Sequence, residues 1–119
     1  MSLIKSAGVR SFLASDPGLS LRCGSSLLPA LHARAHGVLL DAARRARDNG
    51  RSTLLGRDVG ESPCELNVVN SAVVKSTMHP MRCGADVCPA LAYAVCALLA
   101  DAVVRAQLAG RNTIAGDDL

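Results

Sequence analysis

The sequence repeats itself, and this repeat limits the possible folds more than any other feature. Residues 21–59 align with residues 81–119 without a gap, and 16 of the 39 positions are identical. The identities include three motifs at fixed spacing: Arg-Cys-Gly, Pro-Ala-Leu and Gly-Arg-x-Thr. A composition rich in alanine would give chance alanine matches, but it would not give these motifs in register. A duplication of this length predicts two similar halves that can pack as a two-fold pair within one chain.

Both copies contain the same predicted elements. Apolar residues recur at helical spacing over residues 25–49 and again over 85–109, which predicts two long amphipathic helices. Gly50 and Gly110 follow these helices, where a left-handed cap is expected. Ion pairs at i,i+4 spacing are predicted within them, namely Asp41–Arg45 and Asp101–Arg105. Shorter helices and β-prone segments flank the long helices: Ile4–Leu13 and Leu66–Met78, then RSTLL and RNTIA.

The composition favours an all-α fold without an active site. Half of the 119 residues are apolar, but only Phe12 and Tyr93 are aromatic, so the core must be aliphatic and rich in alanine. Such a core suits closely packed helices. The chain is too short for an enzyme with a separate cofactor domain, and it contains no glycine-rich phosphate loop and no evident catalytic carboxylate pair. With only two aromatic residues, the chain is also unsuited to stacking on the bases of single-stranded nucleic acid.

The charge is distributed unevenly between the halves. Residues 1–59 contain nine Lys/Arg against four Asp/Glu, a net charge of +5. Residues 60–119 contain four against six, a net charge of −2. The first half can therefore meet a polyanion more readily than the second half.

The cysteines and histidines are expected to be structural. The five cysteines are odd in number and include no Cys-x-x-Cys motif, so we expect reduced thiols that pack as small apolar groups. His32 and His36 have a spacing that can bind metal, but no third ligand lies near them in the sequence. A partly buried or surface histidine pair is the favoured interpretation. Neither a metal nor a cofactor is expected.

No membrane association is expected from the sequence. The N-terminal residues lack the continuous apolar core of a signal peptide. The longest uncharged apolar stretch, Val87–Ala100, is too short to span a bilayer and predicts a buried helix instead. These features predict an intracellular protein or one packaged in a particle.

The order of elements and motifs resembles the histone fold. A short helix, a loop with arginine, a long helix and then Gly-Arg-x-Thr-Leu/Ile-x-x-x-Asp are typical of that family, and the tandem arrangement resembles histone doublets. ARDNGRSTLLGRDV is similar to a core histone, and AGRNTIAGDDL to an archaeal one. The resemblance covers residues 4–59 and 64–119. It implies an all-α chain with one histone-like fold over residues 1–60 and another over 61–119, together forming an intrachain pseudo-dimer.

The resemblance also implies roles for particular residues. Histone arginines of the first loop enter the DNA minor groove and pair with a threonine of the second loop across the dimer. This implies that Arg22 lies beside Thr113 and that Arg82 lies beside Thr53. The resemblance further implies DNA contacts from basic residues of the first helix, which are Arg10 and Lys75 here. It implies the same for the residue before each threonine, which is Ser52 or Asn112. An Arg–Asp pair clamps each second loop: Arg51 with Asp58, and Arg111 with Asp118.

Double-stranded DNA, bound without base specificity and bent or compacted, is the implied partner. A location on DNA inside a cell or virion follows from this. The alternative function is a histone-fold module for protein assembly with little DNA contact. A duplicated helical bundle unrelated to histones is a third interpretation.

Three departures from the family pattern bear on these alternatives. The long helices are about one turn shorter, and Ser52 and Asn112 replace a frequent lysine. Little sequence is left for a third helix after Asp58 or Asp118, and this predicts uncovered apolar surface. Such a surface favours self-association or a second histone-fold partner.

Overall fold

The computed structural model describes residues 3–14, 22–60 and 68–119. In these residues, one order of elements occurs twice: a short helix, a two-residue strand, a 22-residue helix, a second two-residue strand and a final short turn of helix. The first series is α1 Ser6–Ala14, β1 Arg22–Cys23, α2 Leu27–Asp48, β2 Thr53–Leu54 and α3 Gly56–Val59. The second is α4 Ser71–Met78, β3 Arg82–Cys83, α5 Val87–Leu108, β4 Thr113–Ile114 and a 3₁₀ turn at Gly116–Asp118.

The long helices lie where the apolar periodicity predicts them. Gly50 and Gly110 follow them with φ of 71° and 70°, in the left-handed region that favours glycine at a helix end. Pro29 and Pro89 each occupy the third helical position. The backbone N–H there has no partner within the helix in any case, so proline removes nothing.

The predicted ion pairs within the long helices are wrong. Arg45 donates to the backbone carbonyl of Asp58 at 2.8 Å, and Asp41 instead lies 3.6 Å from the exposed Arg44. Arg105 likewise donates to the carbonyl of Asp118 at 2.6 Å. A buried carbonyl needs a donor more than an exposed carboxylate needs a counter-ion, because water solvates the exposed group.

The second short helix begins later than predicted. Of the predicted helix Leu66–Met78, residues 66 and 67 lie outside the described residues, and residues 68–70 are extended. Val69 forms an antiparallel bridge with Ile4, flanked by hydrogen bonds of 2.8 Å from Lys5 to Val68 and from Asn70 to Leu3. The side chain of Asn70 then accepts a hydrogen bond from the Val73 amide and starts α4 at Ser71.

An aliphatic core joins the two halves, as the composition predicts. The long helices pack against each other, and α3 packs on α5 while the 3₁₀ turn packs on α2. Each final turn thus contacts the long helix of the other half. Valines, leucines and alanines dominate the interior, and the largest fully buried side chains of the long helices are Leu27, Leu31, Leu39, Leu91 and Leu99.

The outer faces of the long helices leave apolar side chains exposed. Leu40, Tyr93 and Val104 are about half exposed, and Leu108 is 83% exposed. Among the described residues, α5 has the length and apolar composition to cross a membrane. Half of its most apolar stretch is buried inside the fold. The helix extends beyond the predicted apolar stretch Val87–Ala100, to Leu108.

Candidate nucleic-acid interface

Parallel strand pairing joins a first loop of one half to a second loop of the other. We call Arg22–Gly24 with Asn112–Ala115 the first loop pair, and Ser52–Leu55 with Arg82–Gly84 the second loop pair. In the first loop pair, Arg22 lies opposite Thr113. In the second, Arg82 lies opposite Thr53. The structure therefore brings together both arginine–threonine combinations that the family resemblance implies.

Backbone hydrogen bonds hold each loop pair. The amides of Arg22 and Gly24 donate to the carbonyls of Asn112 and Ile114 at 2.7 and 2.8 Å. The amides of Arg82 and Gly84 donate to Ser52 and Leu54 at 3.2 and 2.7 Å. This close approach explains the glycine of the recurring Arg-Cys-Gly motif. A Cβ on Gly24 would lie only 2.7 Å from the Ile114 carbonyl oxygen, so a side chain there would push the strands apart.

The polar side chains of the loop pairs face solvent. Arg22 and Arg82 are exposed, as are Ser52, Asn112 and Thr113, whereas Thr53 is half-buried. Leu54 and Ile114, the next residues along each strand, are fully buried. Strand alternation therefore anchors each loop by an apolar side chain and leaves its polar neighbours available to a ligand.

The short helices place one further cation near each loop pair. Burial raises the pKa of the Cys23 thiol, and the charge of Arg10 acts in the opposite direction. Burial also raises the pKa of the Cys83 thiol, whereas the charge of Lys75 lowers it. Helix α1 contacts β1 and helix α4 contacts β3. Arg10 therefore lies near the first loop pair and Lys75 near the second, and both side chains are exposed. The two loop pairs thus have similar sets of basic and hydroxyl or amide groups around them.

An arginine–aspartate pair closes the second loop of each half. Arg51 donates to both carboxylate oxygens of Asp58, at 2.8 and 2.7 Å, and the Leu55 amide donates to the same carboxylate at 2.9 Å. Asp58 is 4% exposed. The side-chain hydrogen bond from Arg51 is the largest cause that holds the Asp58 pKa below its usual value, and burial opposes it.

Arg111 forms the corresponding pair with Asp118, which is 2% exposed. Here the hydrogen bond from the Ala115 amide is the largest cause of the lowered Asp118 pKa. Arg45 and Arg105 complete these clamps by donating to the carbonyls of the two aspartates. Sequence reasoning missed this role for Arg45 and Arg105, although both arginines are conserved between the two copies and so carried the signal.

His32, His36 and the described cysteines are placed by their contacts and burial. The Leu3 amide donates to Nδ1 of His32 at 3.0 Å, and the His32 and His36 rings stack in parallel with centroids 6.4 Å apart. Among the described residues, no group of three or more His, Cys, Asp or Glu side chains could hold a metal. Four described cysteines are half-buried free thiols, and burial also raises the pKa of Cys88. Cys64 lies outside the described residues.

Comparison with known proteins establishes the fold. No protein-family model matches the chain, and no curated protein is significantly similar to it in sequence. The structure is similar to the crystal structure of the histone from Methanopyrus kandleri, with a TM-score of 0.63 and 17% sequence identity. The match covers 97% of this chain and 89% of that one. The chain is therefore mostly helical with a histone fold, which excludes a helical bundle of a different fold.

Proposed function

We propose that this protein is a histone-like doublet that binds and bends double-stranded DNA without reading its base sequence. In this proposal residues 1–60 and 61–119 are two histone-like folds that form an intrachain pseudo-dimer. The observation that supports it most is the opposition of Arg22 to Thr113 and of Arg82 to Thr53 on two exposed loop pairs. Each pair combines residues of both halves, as a two-fold assembly requires.

The chemistry of the loop pairs suits a DNA backbone. An arginine can enter a narrow minor groove and respond to its width rather than to its bases. The hydroxyl and amide groups beside it, from Ser52, Thr53, Asn112 and Thr113, can donate to phosphate oxygens. Arg10 and Lys75 add one cation near each loop pair. Two such loop pairs on one fold would hold a duplex along a curved path.

The proposal describes a non-enzymatic protein that acts on intracellular or packaged DNA. Electrostatic attraction to phosphates would supply most of its affinity. With about six phosphate contacts, the logarithm of the binding constant should fall with the logarithm of salt concentration with a slope near −5.

The test is fluorescence anisotropy on a mixed-sequence duplex over a range of salt concentrations. Arg22→Ala/Arg82→Ala should weaken binding strongly. The matched control is Arg34→Ala/Arg44→Ala, which removes the same charge from exposed positions of α2. Equal weakening by both double variants would reject specific roles for the loop arginines. Absence of wild-type binding at the lowest salt concentration would reject the DNA function.

A second candidate function is protein assembly through the histone fold, with little DNA contact. The exposed apolar side chains Leu40, Val104 and Leu108 favour it, because surface of this kind often marks a protein interface. Self-association or binding of another histone-fold protein would cover them. Sedimentation over a range of protein concentrations without DNA tests this candidate. A monomer at all concentrations, together with tight DNA binding, would reject self-association as the primary function.

A further inference from the structure

An open pocket of about 570 Å³ lies where the C-terminal end of α2 meets α3, and we call it the clamp pocket. Its lining within the described residues is entirely polar and consists of Arg45, Asn49, Arg51, Arg57 and Asp58. Three arginines and one aspartate leave an excess of two positive charges around it. The clamp accounts for Arg51 and Asp58, but it does not require a cluster of cations.

The aspartate of the pocket is already engaged. Asp58 is nearly buried, and both of its carboxylate oxygens accept hydrogen bonds from Arg51. Arg45 donates to the carbonyl of the same residue at 2.8 Å. These bonds fix two guanidinium groups at the pocket, and each keeps several of its five N–H donors for a ligand. Donors that are held in place before binding lose little conformational entropy when a ligand arrives.

Arg57 adds a third cation from α3. Its side chain is exposed and forms no salt bridge within the described residues. The Arg51 hydrogen bond lowers the Asp58 pKa most and the charge of Arg57 lowers it further, so Arg57 lies close to the clamp. Asn49 donates one amide N–H to the Arg45 carbonyl at 2.8 Å and keeps its second N–H. Donors from two helices therefore surround the pocket.

We propose that the clamp pocket binds an inorganic phosphate chain such as pyrophosphate. Arginine forms paired, charge-assisted hydrogen bonds with phosphoryl oxygens. Pyrophosphate has several negative charges on adjacent phosphoryl groups, which matches three cations around one pocket. No apolar or aromatic side chain of the described residues lines the pocket, so a nucleotide base or a lipid chain has no surface to pack on. The proposal does not rest on the proposed DNA function.

A DNA backbone offers the same phosphoryl oxygens at a lower charge density. Each of its phosphates has one negative charge, and the next phosphate of the strand lies a nucleotide away. Three arginines around one pocket exceed what a single backbone phosphate needs. We therefore assign the pocket to a free phosphate chain, and competition with duplex distinguishes the two sources.

The second half of the chain does not repeat this charge cluster. The positions equivalent to Asn49 and Arg57 are Ala109 and Asp117. The second clamp contributes two arginines and one aspartate, so the charges balance there. The proposal therefore predicts one phosphate site per chain. Because the second half closes its final turn with aspartate at this position, Arg57→Asp should be compatible with the fold.

The test is isothermal titration calorimetry with sodium pyrophosphate, at constant ionic strength and without DNA. The wild type should bind one pyrophosphate per chain. Arg57→Asp should weaken binding about tenfold or more, because it replaces one cation of the pocket by an anion. The matched control is Arg34→Asp, which makes the same charge change at an exposed position of α2 and should alter the affinity by less than about twofold. Circular dichroism checks that both variants are folded.

Ala109→Asn/Asp117→Arg provides the reverse test, since it gives the second half the residues of the clamp pocket. This double variant should bind a second pyrophosphate. An unchanged stoichiometry would overturn the proposal, because these positions would then not determine phosphate binding. Equal weakening by Arg57→Asp and Arg34→Asp would also overturn it, since the attraction would then depend on net charge alone.

The titration is repeated in the presence of saturating duplex. Simultaneous binding of pyrophosphate and duplex supports the free phosphate chain, whereas displacement of pyrophosphate by duplex would reassign the pocket to the DNA backbone and overturn the proposal. Absence of duplex binding with intact pyrophosphate binding would reject only the DNA function. Absence of pyrophosphate binding with intact duplex binding would reject only the phosphate site.

Discussion

The Asp58 carboxylate accepts two hydrogen bonds from the Arg51 guanidinium and a third from the Leu55 amide, while its own carbonyl accepts one from Arg45. One nearly buried aspartate thus fixes the end of α2, the loop after it and the start of α3. The loop residues that we assign to DNA are directly connected to this clamp.

Asp58→Asn should lower the free energy of unfolding by about 2–3 kcal/mol, because it removes the charge of a nearly buried acceptor and leaves Arg51 without its partner. Asp118→Asn should lower the free energy of unfolding by a smaller amount, since Arg111 is 45% exposed and water can replace its partner. Urea unfolding of both variants measures the difference. Equal losses would show that exposure of the arginine does not determine the strength of the clamp.

Stability should fall in acid because of the same aspartates. The pKa of each is lower in the folded protein than in the unfolded chain, so the unfolded state takes up protons first as the pH falls. This stabilisation is complete above the usual aspartate pKa of about 3.9. It is lost progressively as the pH drops through the lower folded value. Urea unfolding across this range should show a shallower pH dependence for Asp58→Asn than for the wild type.

Gly24→Ala should destabilise the protein, whereas Gly37→Ala should stabilise it. A Cβ at Gly24 meets a backbone carbonyl that cannot move without breaking the first loop pair, but a Cβ at Gly37 has open space around it on α2. Alanine is favoured over glycine within a helix by about 0.8–1 kcal/mol. Thermal unfolding of the two variants should give shifts of opposite sign. A stabilised Gly24→Ala variant would contradict the tight strand spacing described above.

Arg10→Ala and Lys75→Ala should each make the salt dependence of DNA binding shallower, by about 0.9 in the log–log slope, if each cation meets one phosphate. The effect on affinity should be similar for duplexes of different sequence. Arg34→Ala serves as the control, because it removes an exposed cation from the middle of α2. An unchanged slope for both Arg10→Ala and Lys75→Ala would place these residues outside the DNA contact.

Much of the fold could be predicted because the similarity between residues 21–59 and 81–119 shows which residues matter. The apolar periodicity located both long helices, and the repeated glycines located their ends. The start of the helix predicted over Leu66–Met78 was harder to locate, because apolar residues before Asn70 fit the helical pattern. The bridge between Ile4 and Val69 that makes residues 68–70 extended depends on a distant part of the chain. Local sequence contains no trace of that partner.

The candidate site was only partly predictable. The pairing of Arg22 with Thr113 follows from a family resemblance and not from spacing, because strand register across distant segments has no local signature. The partner of Arg45 was misassigned because i,i+4 spacing on a helix suggests Asp41. A cavity beside the second loop pair, lined by residues that include Arg47, Ser52 and Met78, could not be anticipated, since α2 and the turn after α4 meet only in three dimensions.

The parallel pairing of each first loop with the second loop of the other half has a consequence for synthesis on the ribosome. The second loop pair joins segments from the middle of the chain and can close once Arg82–Gly84 has emerged. The first loop pair needs Thr113 and Ile114, so Arg22 must wait for a segment that is synthesised after the second loop pair can close. The order of assembly is therefore set by the direction of translation, and the nascent protein acquires its two loop pairs one after the other.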